Sequence, residues 1–185
     1  MNVFKRAELR DIRENDLEKI LQWRNQKSIR KFMYNSNIIS MDEHTQWFLK
    51  IKNSKIAQSK IFYYNQVPCG ILNIIEIDYI NNKCKWGFYI GPNNALKGMG
   101  TILGFVSLNY IFNELSIRKL SAEVLSINKK SAIFHQKLGF VREGKLRKNI
   151  IKDGEYIDVL LYGLLEEEWK EHSEKIKKRI EGRYI

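Results

Sequence analysis

A mixed α/β domain built on one central sheet is the fold class this sequence predicts, and three observations carry that reading. Two β-rich runs, residues 60–64 and 69–77, are joined by Asn65-Gln66-Val67-Pro68, a hairpin signal. From residue 84 onward strand and helix patterns alternate: strand 84–90, helix 99–113, strand 118–125, helix 128–138. The 185 residues show no internal repeat, low-complexity block or composition shift, which fits one domain.

The elements follow in order. Ala7-Glu8-Leu9-Arg10 reads as a short strand. Asn15 or Asp16 can cap a helix that carries Leu17, Ile20, Leu21 and Arg24 on one face. A second helix starts at Ser40, where Glu43 completes a capping box, and its apolar stripe is Trp47, Phe48 and Ile51. After the hairpin, Asn81-Asn82-Lys83 turns the chain into a third strand, 84–90, which stops at Gly91-Pro92. Helix 99–113 is largely apolar, with Ile102, Val106 and Tyr110 at spacing four. The last strands fall near 141–150 and 156–164. The organisation expected is a domain over residues 1–168 and a basic helical tail over 169–185.

Composition narrows the function. Hydrophobic residues at 44% and charged residues at 29%, with 2 prolines and 11 glycines, exclude disordered and fibrous architectures. Lys plus Arg at 32 against Asp plus Glu at 21 leaves a formal charge of +11, a field that draws in polyanions without choosing among them. Cys69 and Cys84 are too few and too far apart for a disulfide framework or a paired-cysteine site. Charge within five residues of Met1, and no apolar run near the roughly 18 residues a membrane span needs, point to the cytoplasm and away from membranes. His44, His135 and His172 form no ligand spacing, so no metal is expected.

Two segments carry the chemistry. In the first, strand 84–90 (with Phe88, Tyr89 and Ile90) runs into Gly91-Pro92-Asn93-Asn94-Ala95-Leu96-Lys97-Gly98-Met99-Gly100-Thr101, a glycine-bearing loop that opens a helix. Such a loop brings backbone N–H groups and a helix dipole to an anion. It matches neither a Walker loop nor a dinucleotide fingerprint. Alone it is equally a plain loop between packed elements. The second segment, about 28 residues on, is Asn128-Lys129-Lys130-Ser131-Ala132-Ile133-Phe134-His135-Gln136-Lys137-Leu138-Gly139-Phe140.

Together these two segments resemble the Gcn5-related N-acetyltransferase superfamily, and the element order agrees over nearly the whole chain. Gly98 and Gly100 match the glycines of the loop that holds the acetyl-CoA pyrophosphate; Asn128 and Leu138-Gly139-Phe140 match the helix beside the pantetheine. The resemblance implies the acyl-CoA N-acyltransferase fold: α/β of the α+β kind, a central mixed, mostly antiparallel sheet flanked by helices, with strands splayed at the CoA site. It implies acetyl-CoA as co-substrate, held by Phe88, Tyr89, Ile90, Lys97, Gly98, Met99, Gly100, Thr101, Asn128 and Ser131. Two positions depart from the pattern. The first loop residue, elsewhere Gln or Arg, is Ala95, with Lys97 close enough to compensate. The tyrosine that protonates the departing thiolate is His135, which serves either as that acid or as a packing residue.

The N-terminal third resembles one subgroup, the N-acetyltransferase of pseudaminic acid biosynthesis, which acetylates a 4-amino group on a UDP-linked deoxysugar. The matching residues are Trp23-Arg24-Asn25, the run from Ile29-Arg30-Lys31-Phe32-Met33-Tyr34-Asn35, and Glu43-His44. In that reading Arg24, Arg30 and Lys31 clamp a diphosphate, Trp23, Phe32 or Tyr34 stacks on uracil or faces the sugar methyl, and Asn25 and His44 touch the sugar; the alternative makes Trp23 and Phe32 core. Phe32 and Met33 read as core instead. Glu76 and Glu123, near strand ends, are the carboxylates nominated as base. The chemistry implied is direct transfer in a ternary complex. The same tripeptide occurs in acetyltransferases of ribosomal and other protein N-termini, which stand as the alternative acceptors. A basic nucleic-acid-binding domain is the distant alternative, because Phe62, Trp86 and Phe88 share strands with apolar neighbours. The tail leaves a homodimer open.

Overall fold

The computed structural model describes residues 3–182. Seven strands form one sheet: β1 (Ala7–Asp11), β2 (Gln58–Tyr64), β3 (Val67–Asp78), β4 (Lys83–Ile90), β5 (Lys119–Leu125), β6 (Val141–Lys152) and β7 (Glu155–Leu165). Their spatial order is β1-β2-β3-β4-β5-β7-β6, antiparallel at every junction except the parallel pair β4 and β5. The helices are α1 (Leu17–Asn25), α2 (Lys27–Arg30), α3 (Met41–Lys52), α4 (Met99–Asn109), α5 (Lys129–Lys137) and α6 (Glu166–Glu181).

Local chemistry explains most element ends and corrects some. Ser40 and Glu43 form the predicted reciprocal cap of α3 (Glu43 N–H to Ser40 Oγ, 3.2 Å; Ser40 N–H to Glu43 Oε2, 2.7 Å). The β2–β3 turn is tighter than the four residues expected. Asn65 and Gln66 both adopt left-handed φ, 51° and 64°, the geometry of a two-residue hairpin turn, so Val67 and Pro68 begin β3. The 99–113 helix changes character after Asn109: residues Tyr110–Glu114 form a π-turn, closed by Leu115 N–H to the Tyr110 carbonyl at 3.0 Å.

Helices cover both faces of the sheet. On one face α4 buries Ile102, Leu103, Phe105 and Leu108 against β3, β4 and β5, the main core. On the other face α1 sets Ile20 and Trp23 on Ile61 and Ile71. No structural break follows residue 168. In α6, Trp169 is 1% exposed and its indole N–H donates to Asn109 Oδ1 at 3.1 Å, while Ile176 and Ile180 join the same core. The expected basic helical tail begins inside α6, and the described part of it packs on the core, because an amphipathic helix with these apolar residues covers surface on α4.

The feature that makes the site is a split between neighbouring strands. The parallel ladder runs only from Lys83 opposite Lys119 to Trp86 opposite Ala122. Beyond it β4 stays with β3 as far as Gly70 opposite Ile90, and β5 stays with β7 as far as Leu125 opposite Val159. Each strand follows its antiparallel partner, so the C-terminal halves of β4 and β5 part.

Candidate active site

A cavity of about 950 Å³ passes through this split. Successive residues of a strand point to opposite faces, yet both sets line it: Lys85, Gly87 and Tyr89 from one face of β4, Trp86, Phe88 and Ile90 from the other. The cavity therefore has two mouths. One is framed by Gly100, Asn128, Lys130, Ser131, Phe134 and His135, the other by Ser28, Ile29, Phe32, Met33, Tyr34 and Trp47.

The first mouth has the features of an acyl-CoA site. Gly98, at φ 99°, caps α4 in a conformation that side chains rarely adopt. At Gly100 an added Cβ meets only Ile90 Cγ1, at 3.9 Å, so the space a side chain would fill belongs to the cavity. Across from it Asn128 caps α5, its Oδ1 accepting the Ser131 N–H at 3.1 Å. Lys130 adds a cation that sequence reasoning missed. These groups fit a pyrophosphate at a helix N-terminus, with the pantetheine arm against Phe88, Phe134 and Leu125. The Met99 side chain, 2% exposed, is core, and none of Lys97, Gly98, Met99 and Thr101 lines the cavity.

His135 lines the cavity but is poorly suited to be an acid. Its ring packs among Trp86, Phe134, Phe140 and Tyr162, and its Nδ1–H donates to the Ser131 carbonyl at 2.8 Å. Burial pushes its pKa down to about 4, with the Ser131 carbonyl pulling the other way. At neutral pH the imidazole is neutral and its single N–H is committed, so it holds no labile proton for a thiolate.

The second mouth carries a line of four side chains. Tyr34 donates its phenol O–H to Glu123 Oε2; Lys85 Nζ reaches Glu123 Oε1 at 2.8 Å and Glu76 Oε2 at 3.0 Å. Partial burial raises the charged-state cost of Glu123, but the hydrogen bonds from Lys85 and Tyr34 outweigh it and hold the carboxyl below its ordinary range. The same two carboxylates push Lys85 up, and burial with Glu123 pushes the Tyr34 phenol up. Glu76 sits where the β3–β4 ladder slips, at φ 52°, a strained backbone for a non-glycine residue. The bulge sets its carboxylate on the cavity wall.

Several residues nominated as substrate contacts are structural. Trp23 is 7% exposed and packs so closely on Gly91 that a Cβ there would lie 2.0 Å from its Cδ2. Asn25 clamps the Ile39 peptide at both ends: Nδ2–H to the Ile39 carbonyl at 2.8 Å, Ile39 N–H to Oδ1 at 2.9 Å. Arg24 donates to the Asn35 carbonyl at 2.6 Å and Arg30 to the Ser36 carbonyl at 2.8 Å. His44 is 4% exposed, stacks on Trp47 and lies outside the cavity lining. Conversely Phe32 and Met33, read as core, line the cavity, and Lys31 extends over the Phe32 ring, 4.8 Å from its centroid. In sequence, an arginine that holds carbonyls looks the same as one that holds phosphate.

Among the described residues no helix is long and apolar enough to cross a membrane, and no cluster of three or more His, Cys, Asp or Glu could hold a metal ion.

Comparison with known proteins agrees with this geometry. Residues 9–161 match the family model described as an acetyltransferase (GNAT) domain. Acetyltransferase PseH of Campylobacter jejuni is 27% identical over 130 residues, 70% of this chain and 80% of that one. YdaF of Bacillus subtilis is 29% identical over 107 residues, and the chain spans 58% of its length. The crystal structure of spermidine N-acetyltransferase from Vibrio cholerae, in complex with CoA and spermine, superposes with a TM-score of 0.84 at 25% identity, covering 90% of this chain and 99% of that one. With more than half of its length matched by that family model and a strand split, glycine cradle and capped helix to hold the co-substrate, the chain belongs to the GNAT family of acetyl-CoA-dependent N-acetyltransferases.

Proposed function

We propose that the acceptor is the 4-amino group of a UDP-linked amino-deoxysugar, UDP-4-amino-4,6-dideoxy-N-acetyl-β-L-altrosamine, acetylated in the cytoplasm on the way to pseudaminic acid and surface glycans. The observation that carries this reading is the lining of the second mouth. Ile29, Phe32, Met33, Trp47 and Ile75 make it apolar and aromatic, a surface suited to a sugar methyl and a nucleobase. A polyamine site needs carboxylates to spare, whereas Glu76 and Glu123 both pair with Lys85. The net charge of +11 and Lys31 at the rim favour an acceptor that carries phosphate. The Campylobacter relative supports the same class.

Bound acetyl-CoA supplies a thioester whose acyl carbon an amine can attack. The chain's residues do the rest. Peptide groups of β4 beyond Trp86 that face away from β3 have no β5 partner, which leaves an N–H near Ile90 to polarise the acyl carbonyl. Glu123 accepts a hydrogen bond from the amine and orients its lone pair. Glu76, more open to water, passes the amine proton to solvent. The N–C bond forms, the C–S bond breaks, and the thiolate takes its proton from water in place of His135. Orientation of two substrates across one split supplies most of the acceleration.

Thiol release from acetyl-CoA with a panel of acceptors tests the reading: the UDP-amino sugar, spermidine and ribosomal N-terminal peptides. Turnover on the sugar alone is expected. Turnover on spermidine or peptides alone would keep the fold and the co-substrate and reject the sugar.

A further inference from the structure

The segment between α2 and α3, residues 31–40, has no buried residue, yet it forms one lip of the second mouth. Apolar packing cannot be what fixes it. Its root is tied by side chains from the end of α1 and from α2: Asn25 on both ends of the Ile39 peptide, Arg24 on the Asn35 carbonyl, Arg30 on the Ser36 carbonyl. Its middle is tied across the cavity by Tyr34 to Glu123, 89 residues away in sequence. Each guanidinium donates to a strap carbonyl, Arg24 through Nη2 and Arg30 through Nη1.

We propose that Arg24, Asn25 and Arg30 are positioning residues that suspend this strap over the acceptor mouth, with the Tyr34–Glu123 bond as its latch, and that they set acceptor recognition without touching the acceptor. The inference rests on reading that mouth as the acceptor's entrance. Two consequences separate it from a general role in stability. Loosening the root frees the strap while the acetyl-CoA mouth, built on β4, α4 and α5, stays intact. Loosening the latch frees the middle of the strap and leaves its root tied.

Amide hydrogen exchange of the full chain, read with steady-state kinetics, tests this. The Ile39 amide, which donates to Asn25 Oδ1, is the internal probe. Asn25→Ala is expected to speed exchange at Ile39 about tenfold, the effect of one lost hydrogen bond. It should raise the KM for the UDP-amino sugar by about as much and hold the KM for acetyl-CoA within about twofold. Arg30→Lys, which keeps charge and one donor, should restore part of what Arg30→Ala loses. Tyr34→Phe should speed exchange over 32–36 and leave Ile39 protected. If Asn25→Ala does not fold, Asn25→Leu keeps the branched side-chain shape and removes both bonds to Ile39, and the same readings apply. Unchanged exchange at Ile39, or equal rises in both KM values, overturns the proposal. If the wild-type chain turns over no sugar, the proposed acceptor fails, and the exchange pattern alone still upholds or overturns the strap.

Discussion

The two mouths of the cavity are built on different physical terms. The acetyl-CoA mouth is continuous with the core: Phe88, Ile90 and Phe134 pack against the same cluster as Ile102 and Leu103. The acceptor mouth is a lip with no buried residue, held by hydrogen bonds to three side chains and one phenol. A family that keeps one co-substrate and changes acceptors is served by this division, because a lip can be rebuilt without repacking a core.

Breaking that contrast begins with the shared chemistry. Glu123→Ala removes the carboxylate that the proposed mechanism sets beside the amine and should lower kcat about a thousandfold, within the usual range for a positioned acid or base, with acetyl-CoA affinity by calorimetry unchanged. A stability effect comes next. His135 binds a proton in the unfolded chain near pH 6.5 but in the fold only near 4. Between those values the unfolded state holds more protons, so stability is full above pH 6.5 and falls as the pH drops through 4. The loss is about 3 kcal/mol for this group. Urea titrations at pH 7 and pH 4.5 should show that loss, and His135→Phe should reduce it. In the same enzyme kcat should show no break near 6.5 that His135→Phe removes. On the co-substrate side alone, Gly100→Asp places a carboxylate in open cavity space and should weaken acetyl-CoA binding about a hundredfold by excluding phosphate, while the melting temperature barely moves. The smallest effect belongs to the lip. Lys31→Ala should raise the acceptor KM about threefold, as expected for an exposed charge, and the difference should vanish in high salt.

The same division decides what the sequence makes legible. On the first mouth the expected Phe88, Tyr89, Ile90, Gly100, Asn128 and Ser131 line the cavity, because backbone and cap positions can be located from short strings, while Lys97, Gly98, Met99 and Thr101 do not line it. The order of elements along the chain is read almost completely, and the differences lie in local geometry: a hairpin turn two residues tighter and a π-turn at Tyr110–Glu114; the packing of the final helix on the core is seen only in the structure. The acceptor mouth is read in reverse. Arg24, Asn25 and Arg30 hold carbonyls, while Phe32 and Met33 face the cavity, because side-chain type does not say which partner it meets. Lys85 and Trp86 are missed for another reason. As neighbours on a strand they face opposite ways, and only the parting of β4 from β5 lets both reach one space.

The sheet order has a consequence for synthesis. The first four strands lie side by side in the order the chain is made, and β5 joins β4 in parallel, but its other edge is filled only by β7, which inserts between it and β6. Contacts so far apart in sequence form slowly. The split lies at the seam between the early and late halves, and the β5 side of it is drawn away from β4 by pairing with residues 155–165 of β7. A co-substrate seated across that seam favours the finished sheet, and at a thousand times its dissociation constant it would stabilise the folded state by about 4 kcal/mol.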